Sequence, residues 1–173
     1  MDPLDGTVNF LFGIPQWSVS IACEQEGETL AAVVHDALRR ETFTAAHGGR
    51  AALNGRPIRG SERAELATAM VATGFSYEAS TRALQAQTVA HVLPRVRDIR
   101  RFGSAAIDLA WTACGRFDAY YERGLQQWDL AAGAYICRCA GLEVRELTAT
   151  EQPAGLLVAP SGLVEGLQAL VDH

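Results

Sequence analysis

Two aspartates three residues apart open the chain, in the stretch Asp2-Pro3-Leu4-Asp5-Gly6-Thr7-Val8-Asn9-Phe10. Pro3 fixes its own φ and biases Asp2 towards an extended backbone. Gly6 permits a tight turn and lets a ligand come close to the main chain. Thr7 then caps or opens a helix whose first N–H groups point outward. Such a segment sets two carboxylates beside a small cradle of N–H donors. Hard divalent cations take oxygen ligands, and Mg²⁺ commonly uses one or two carboxylates together with substrate phosphate. Metal-assisted handling of a phosphate group is the chemistry these residues could support. Read alone, the pentapeptide is equally an acidic surface turn, because the same residue types populate loops.

Further polar residues lie downstream. Asp129, in Trp128-Asp129-Leu130-Ala131-Ala132-Gly133, is expected at the N-cap of a helix, a place Asp favours for capping alone. Glu122 follows two tyrosines at a strand end and reads by itself as a solvated edge charge. Gly103, Ser104 and Ala105 open a helix, where free N–H groups suit oxygen ligands; ordinary capping serves Ser104 as well. Trp128 is expected to pack rather than touch a ligand. His35, His47, His91 and His173 show no ligand spacing.

The elements that must position these residues follow from periodicity. Trp17, Val19, Ile21 and Cys23 alternate with Ser18, Ser20, Ala22 and Glu24, the pattern of a half-buried strand. Thr29–His35 and Glu41–Ala46 read as the next two strands. Asn54-Gly55 joins a small hairpin, Ala51–Leu53 with Arg56–Ile58, because Asn-Gly supplies the positive φ that such turns need. Residues 1–60 are therefore expected to form a meandering antiparallel sheet domain. A polar stretch, Ser61–Glu65, marks a boundary to an α/β domain over 61–173. There, strands are expected at Ala67–Thr73, Val96–Arg101, Phe117–Glu122 and Gly155–Ala159. Helices are expected at Ser80–Leu93, from Ser104 to Gly115, from Asp129, and from Ser161. Ile107, Ala110, Trp111 and Cys114 make one helical stripe, and Leu130, Ala134, Cys137 and Gly141 another.

A chain of 173 residues, 49% hydrophobic and 20% charged, can bury a real core. The net charge of −5, with no basic run longer than two residues, argues against wholesale nucleic-acid binding. No apolar run approaches a membrane span, and no signal peptide opens the sequence. Cys23, Cys114, Cys137 and Cys139 form no C-x-x-C pair and read as buried, reduced thiols of a cytoplasmic protein.

Four motifs in order resemble the inositol monophosphatase family: Asp2-Pro3-Leu4-Asp5-Gly6-Thr7-x-Asn9-Phe10, Gly103-Ser104-Ala105-Ala106, Tyr120-Tyr121-Glu122-x-Gly124, and Trp128-Asp129-Leu130-Ala131-Ala132-Gly133. The resemblance implies an α+β layered sugar-phosphatase fold, an αβαβα sandwich. It also implies Mg²⁺-dependent hydrolysis of a small phosphate monoester, inositol monophosphate first, by a metal-activated water. Histidinol-phosphate phosphatase and fructose bisphosphatase share the motifs and are the alternatives. On this resemblance Asp2, the Leu4 carbonyl, Asp5 and Asp129 hold the metal, and Asp2 and Thr7 stand at the reacting centre. Gly6 and Thr7 bind phosphate. Gly103, Ser104, Ala105, Glu122 and Asp129 contact the polyol. Members of the family carry a segment ahead of the first motif, with helices, a glutamate ligand and an acid that works with the motif threonine. This chain begins one residue before Asp2, so the resemblance implies an N-terminally truncated form with those helices absent. Exposed apolar surface would follow from that. A catalytically inactive remnant that only binds metal and self-associates is then the rival reading. Members commonly continue the last motif helix into Glu-Ala-Gly-Gly, where this chain has Cys139-Ala140-Gly141-Leu142. A small polyol phosphate is the expected partner, and a homodimer the expected assembly.

Overall fold

Two β-sheets, with helices between and behind them, make up the structure, a computed structural model that describes residues 1–172. His173 lies outside the described residues. The first sheet is an antiparallel meander: β1 (Asp2–Asp5), β2 (Ser18–Gln25), β3 (Glu28–Asp36), β4 (Glu41–Ala46), β5 (Ala52–Leu53) and β6 (Arg56–Pro57), in that spatial order. A short helix, α1 (Thr7–Leu11), leaves β1 before the chain returns as β2. Asn54 and Gly55 both take positive φ, 49° and 76°, and close the small hairpin as their types require.

The second sheet holds β7 (Met70–Thr73), β8 (Asp98–Arg100), β9 (Ala119–Arg123), β10 (Glu143–Leu147) and β11 (Gly155–Ala159), in the order β10-β11-β9-β7-β8. β7 runs parallel to β8 and β9, and β11 runs antiparallel to β9 and β10. The parallel pairs need crossovers, which are α2 (Ala79–Val92) and α3 (Ala105–Ala113). Next come α4 (Gln127–Cys139), after β9, and α5 (Ser161–Val171), after β11.

Helices α3 and α4 form the layer between the sheets. One core joins Val34 and Phe43 of the first sheet, Leu109, Ile136 and Cys137 of the two helices, and Tyr120, Leu156 and Val158 of the second. On the far face of the second sheet, Val71, Leu157 and Ala159 pack with Val92 of α2 and Leu163 and Leu167 of α5. The order is sheet, helices, sheet, helices, an α+β layered fold with four of the five layers of the expected sandwich among the described residues. Between two sheets a helix is buried all round, not along one stripe. Every residue of α3 except Trp111 is accordingly buried. On α4 the buried set is Ala132, Gly133, Ala134, Ile136 and Cys137; of the expected stripe Ala134 and Cys137 are buried, whereas Leu130 is half-buried and Gly141 lies exposed beyond the helix end. A Cβ on Gly133 would stand 2.6 Å from the Leu109 Cβ, so glycine sets how closely α4 approaches α3.

Two expectations are corrected and one unexpected strand is added. The alternation in β2 is real, but its polar side faces inward: Ser18 and Ser20 are buried, while Ile21 and Cys23 are exposed. The small residues allow close approach to α3, and the Ser18 hydroxyl lies 3.3 Å from that of Ser104. Leu11 and Phe12 are exposed as well. Strand β10 was not expected. Its sequence, Glu-Val-Arg-Glu-Leu, is polar because it forms a sheet edge bonded only to β11. Residues 67–69 are not strand, because a 3₁₀ turn at Leu66–Thr68 precedes β7.

Candidate metal and phosphate site

Asp5 ends β1 at the point where the first sheet meets α3. It is 7% exposed. Its Oδ2 accepts the Ser104 hydroxyl proton at 2.5 Å and the Ala106 N–H at 2.9 Å. Burial pushes its pKa up to about 6; those two donors pull it down, and the nearby Asp129 and Asp2 charges push it up again. Ser104 caps α3, accepting from the Ile107 N–H at 3.3 Å. Its hydroxyl is fully buried and donates to Asp5, and Ser104 is not among the residues on the cavity wall, whereas Gly103 and Ala105 are.

Gly6 follows with φ +88° and ψ 32°. A Cβ there would meet the Gln16 carbonyl at 2.9 Å, so both conformation and space demand glycine. The chain turns into α1, where Thr7 gives its hydroxyl proton to the Leu4 carbonyl at 2.8 Å. The Leu4 N–H in turn donates to Asp2 Oδ1 at 2.9 Å. The first N–H groups of α1 have no acceptor within the helix. Asn9 was given no role by sequence reasoning, yet it is buried and fastens the motif. Its Nδ2 donates to the carbonyls of Gln16 at 2.8 Å and Phe102 at 2.7 Å, joining α1 to both parts of the chain.

Asp129 sits on the third residue of α4, not at the N-cap; Gln126 occupies that position. Its Oδ2 accepts the Gln126 N–H at 2.9 Å. Burial raises its pKa, the Gln126 N–H lowers it, and Asp2 raises it further. Oxygens of Asp2, Asp5 and Asp129 all lie within 4.8 Å of one another. Two residues of one turn are thus joined by a third from far along the chain.

A cavity of about 550 Å³ opens beside this cluster, lined among others by Gly6, Thr7, Arg101, Gly103, Ala105, Glu122 and Asp129. Glu122 is no edge charge. Strand β9 lies at the centre of its sheet, and a Cβ on Gly74 would overlap the Glu122 carboxylate. Burial pushes Glu122 up to about 7, while the Tyr120 hydroxyl, donating at 2.8 Å, and the Arg101 charge pull it down. Asp108, also unassigned by sequence reasoning, is buried beneath the site, with its pKa raised by burial and by Glu122 and Asp5. Trp128 is 52% exposed at the cavity and does not pack as expected.

The sequence pattern of the inositol monophosphatase family matches residues 1–171. The chain belongs to the inositol monophosphatase family. Among its relatives, the inositol-1-monophosphatase of Mycobacterium bovis is 47% identical over 179 residues, covering all of this chain and 62% of that protein. Nus factor SuhB of Xylella fastidiosa is 48% identical over 154 residues, covering 88% of this chain and 56% of that protein. The structure of Mycobacterium tuberculosis SuhB superposes with a TM-score of 0.90 at 43% identity, over 98% of this chain and 69% of that one. The chain thus spans less than two thirds of the length of these curated relatives. The four motifs of the family all fall on the walls of the cavity or directly behind them.

Proposed function

We propose that this protein is a Mg²⁺-dependent phosphatase of small polyol phosphates, with inositol monophosphate as the leading substrate. The observation that carries this reading is the convergence of Asp2, Asp5 and Asp129 beside a cavity large enough for such a molecule. The donor set fits a hard divalent cation: three carboxylates supply only oxygen, and burial, with their mutual repulsion added to it, raises Asp5 and Asp129. When bound, the cation supplies charge neutralisation for the phosphoryl oxygens and a lowered pKa for water.

The chain's own residues supply position and selectivity. Asp2, Asp5, Asp129 and the Leu4 carbonyl would hold the ion. The free N–H groups at Gly6 and Thr7 would donate to phosphate oxygens. Because Thr7, which lines the cavity, spends its proton on Leu4, its hydroxyl oxygen is left as an acceptor and would orient a water by one of its protons. Asp129 and Glu122 would accept from polyol hydroxyls, with Gly103 and Ala105 forming the adjoining wall. A homodimer is the proposed assembly, to be read by sedimentation.

The test is phosphate release from a panel containing inositol 1-phosphate, histidinol phosphate and fructose 1,6-bisphosphate, with and without Mg²⁺. Mg²⁺-dependent release led by the inositol ester supports the reading. A Mg²⁺-induced rise in melting temperature with no release from any ester would instead mark a metal-binding member without catalysis.

A further inference from the structure

Behind Glu122 lies a second, much smaller cavity, lined among others by Thr88, Tyr121, Glu122, Arg123 and Gln152. Gly74, Phe75, Glu122 and Arg123 border both cavities, so a single layer of residues separates them. Arg123 is 4% exposed, and most of its donors are placed. Its Nη2 donates to Asp172 at 2.7 Å, and its Nη1 to the Thr148 carbonyl at 2.9 Å and the Pro153 carbonyl at 3.2 Å. Its Nε–H is buried with no hydrogen-bond partner among the described residues. Gln152 donates from Nε2 to the Thr88 hydroxyl at 3.0 Å, while its Oε1 is buried without a donor. The Tyr121 hydroxyl is buried in the same condition. Burial pushes its pKa up to about 12 and the nearby Thr73 pulls it down, so it keeps its proton at neutral pH. A buried polar atom left unpaired is costly. Here three of them belong to residues around one small cavity.

From this arrangement we propose that the cavity binds a single water molecule, held by Arg123, Gln152 and Tyr121. The water accepts from the Arg123 Nε–H, donates one proton to Gln152 Oε1 and shares a hydrogen bond with the Tyr121 hydroxyl. Three hydrogen bonds are the usual number for an internal water. The space agrees: about 10 Å³ is open to the centre of a water, room for one molecule and not for a substrate. The charges agree as well. Asp172 already answers the Arg123 charge, and Glu122 stands on the same wall, so an anion is disfavoured. A cation would meet the guanidinium. A neutral molecule that both donates and accepts suits all three atoms. The water completes the support behind Glu122. Arg123 of β9 grips the turn 148–154, Gln152 ties that turn to α2, and Gln85 of α2 donates to the Arg123 carbonyl at 3.3 Å. The water closes this ring of strand, turn and helix. It stands independently of the phosphatase reading, which its failure would leave untouched.

The test is a crystal structure of the full chain at a resolution that shows ordered waters, beside a solution measurement. One peak is expected within about 3 Å of Arg123 Nε, Gln152 Oε1 and Tyr121 Oη. In solution, a nuclear Overhauser contact between water and the Arg123 Nε proton is expected. Both should persist in Tyr121→Phe, which leaves two partners and excludes relay through the exchanging hydroxyl. Both should be lost in Tyr121→Phe/Gln152→Met, because an internal water needs at least two polar partners. If that double variant fails to fold, the natural chain and Tyr121→Phe decide. A dry cavity in the natural chain overturns the proposal, as does a side chain turned to give Arg123 Nε a protein partner. A peak that survives the double variant overturns the assignment to these groups. An anomalous peak at the site after a bromide soak also overturns it, by making the occupant an anion.

Discussion

Asp5→Asn should stabilise the metal-free protein at neutral pH and destroy its response to Mg²⁺. In the folded chain Asp5 titrates at about 6, against an ordinary value of 3.8. Below pH 4 the carboxyl is protonated in both folded and unfolded states, and no penalty exists. As pH rises from about 4 to about 6 the unfolded chain releases its proton first, so folding stability falls. Above 6 the full penalty applies. Two pH units at about 1.4 kcal/mol each give about 3 kcal/mol. Asparagine is the isostere of the protonated acid. Its Oδ1 can accept from Ser104 and Ala106, and its Nδ2 can donate towards Asp2 and Asp129. The variant should therefore recover about 3 kcal/mol at pH 7.5, or about 6–12 °C in melting temperature for a chain of this size. At pH 4 the two proteins should melt together. Added Mg²⁺ should raise the natural chain, since a ligand of the folded state alone stabilises it, and should raise the variant far less. Calorimetric melts in EDTA and in Mg²⁺ at the two pH values read all of this. A variant that melts at or below the natural chain in EDTA at pH 7.5 would refute the electrostatic reasoning. Undiminished stabilisation by Mg²⁺ in the variant would refute the assignment of Asp5 as a ligand.

Other substitutions probe the supports of the site. Asn9→Ala leaves the Gln16 and Phe102 carbonyls without their buried donor and should cost about 2–4 kcal/mol in a denaturant titration. Gly133→Ala drives a methyl group into Leu109 and should cost about 1–3 kcal/mol, with loss of Mg²⁺ affinity as α4 shifts and carries Asp129 with it. Glu122→Gln should reorder the polyol esters while the Mg²⁺-induced melting shift stays. In the natural chain, with Glu122 at about 7, hydroxyl binding should strengthen as pH rises through 7, and this dependence should be absent in the glutamine variant.

Much of the site was legible in the sequence because it rests on local constraints. Asp-Pro-x-Asp-Gly-Thr encodes its own turn, and the Gly6 conformation of φ +88° is what that glycine announces. Asn54-Gly55 announced its hairpin in the same way. What could not be read locally depends on partners distant in the chain. Ser104 looked like a free helix-opening hydroxyl, and only folding brings it to Asp5, ninety-nine positions away. Asn9 and Asp108 carry no periodic signal and take their meaning from Phe102 and Glu122. Strand β2 misled because a sheet packed closely on a helix layer buries its small residues and leaves its larger ones outside. Strand β10 was missed because an edge strand need not alternate apolar and polar residues.

The claim that Asp2, Asp5 and Asp129 form one cation site is tested most directly by anomalous diffraction from crystals of the chain soaked in Mn²⁺, a hard oxygen-seeking ion in place of Mg²⁺. The expected result is a peak bonded to carboxylate oxygens of all three aspartates and to the Leu4 carbonyl, lost in Asp5→Asn. A peak placed elsewhere, or a cluster that stays free of ion at millimolar Mn²⁺, would contradict it.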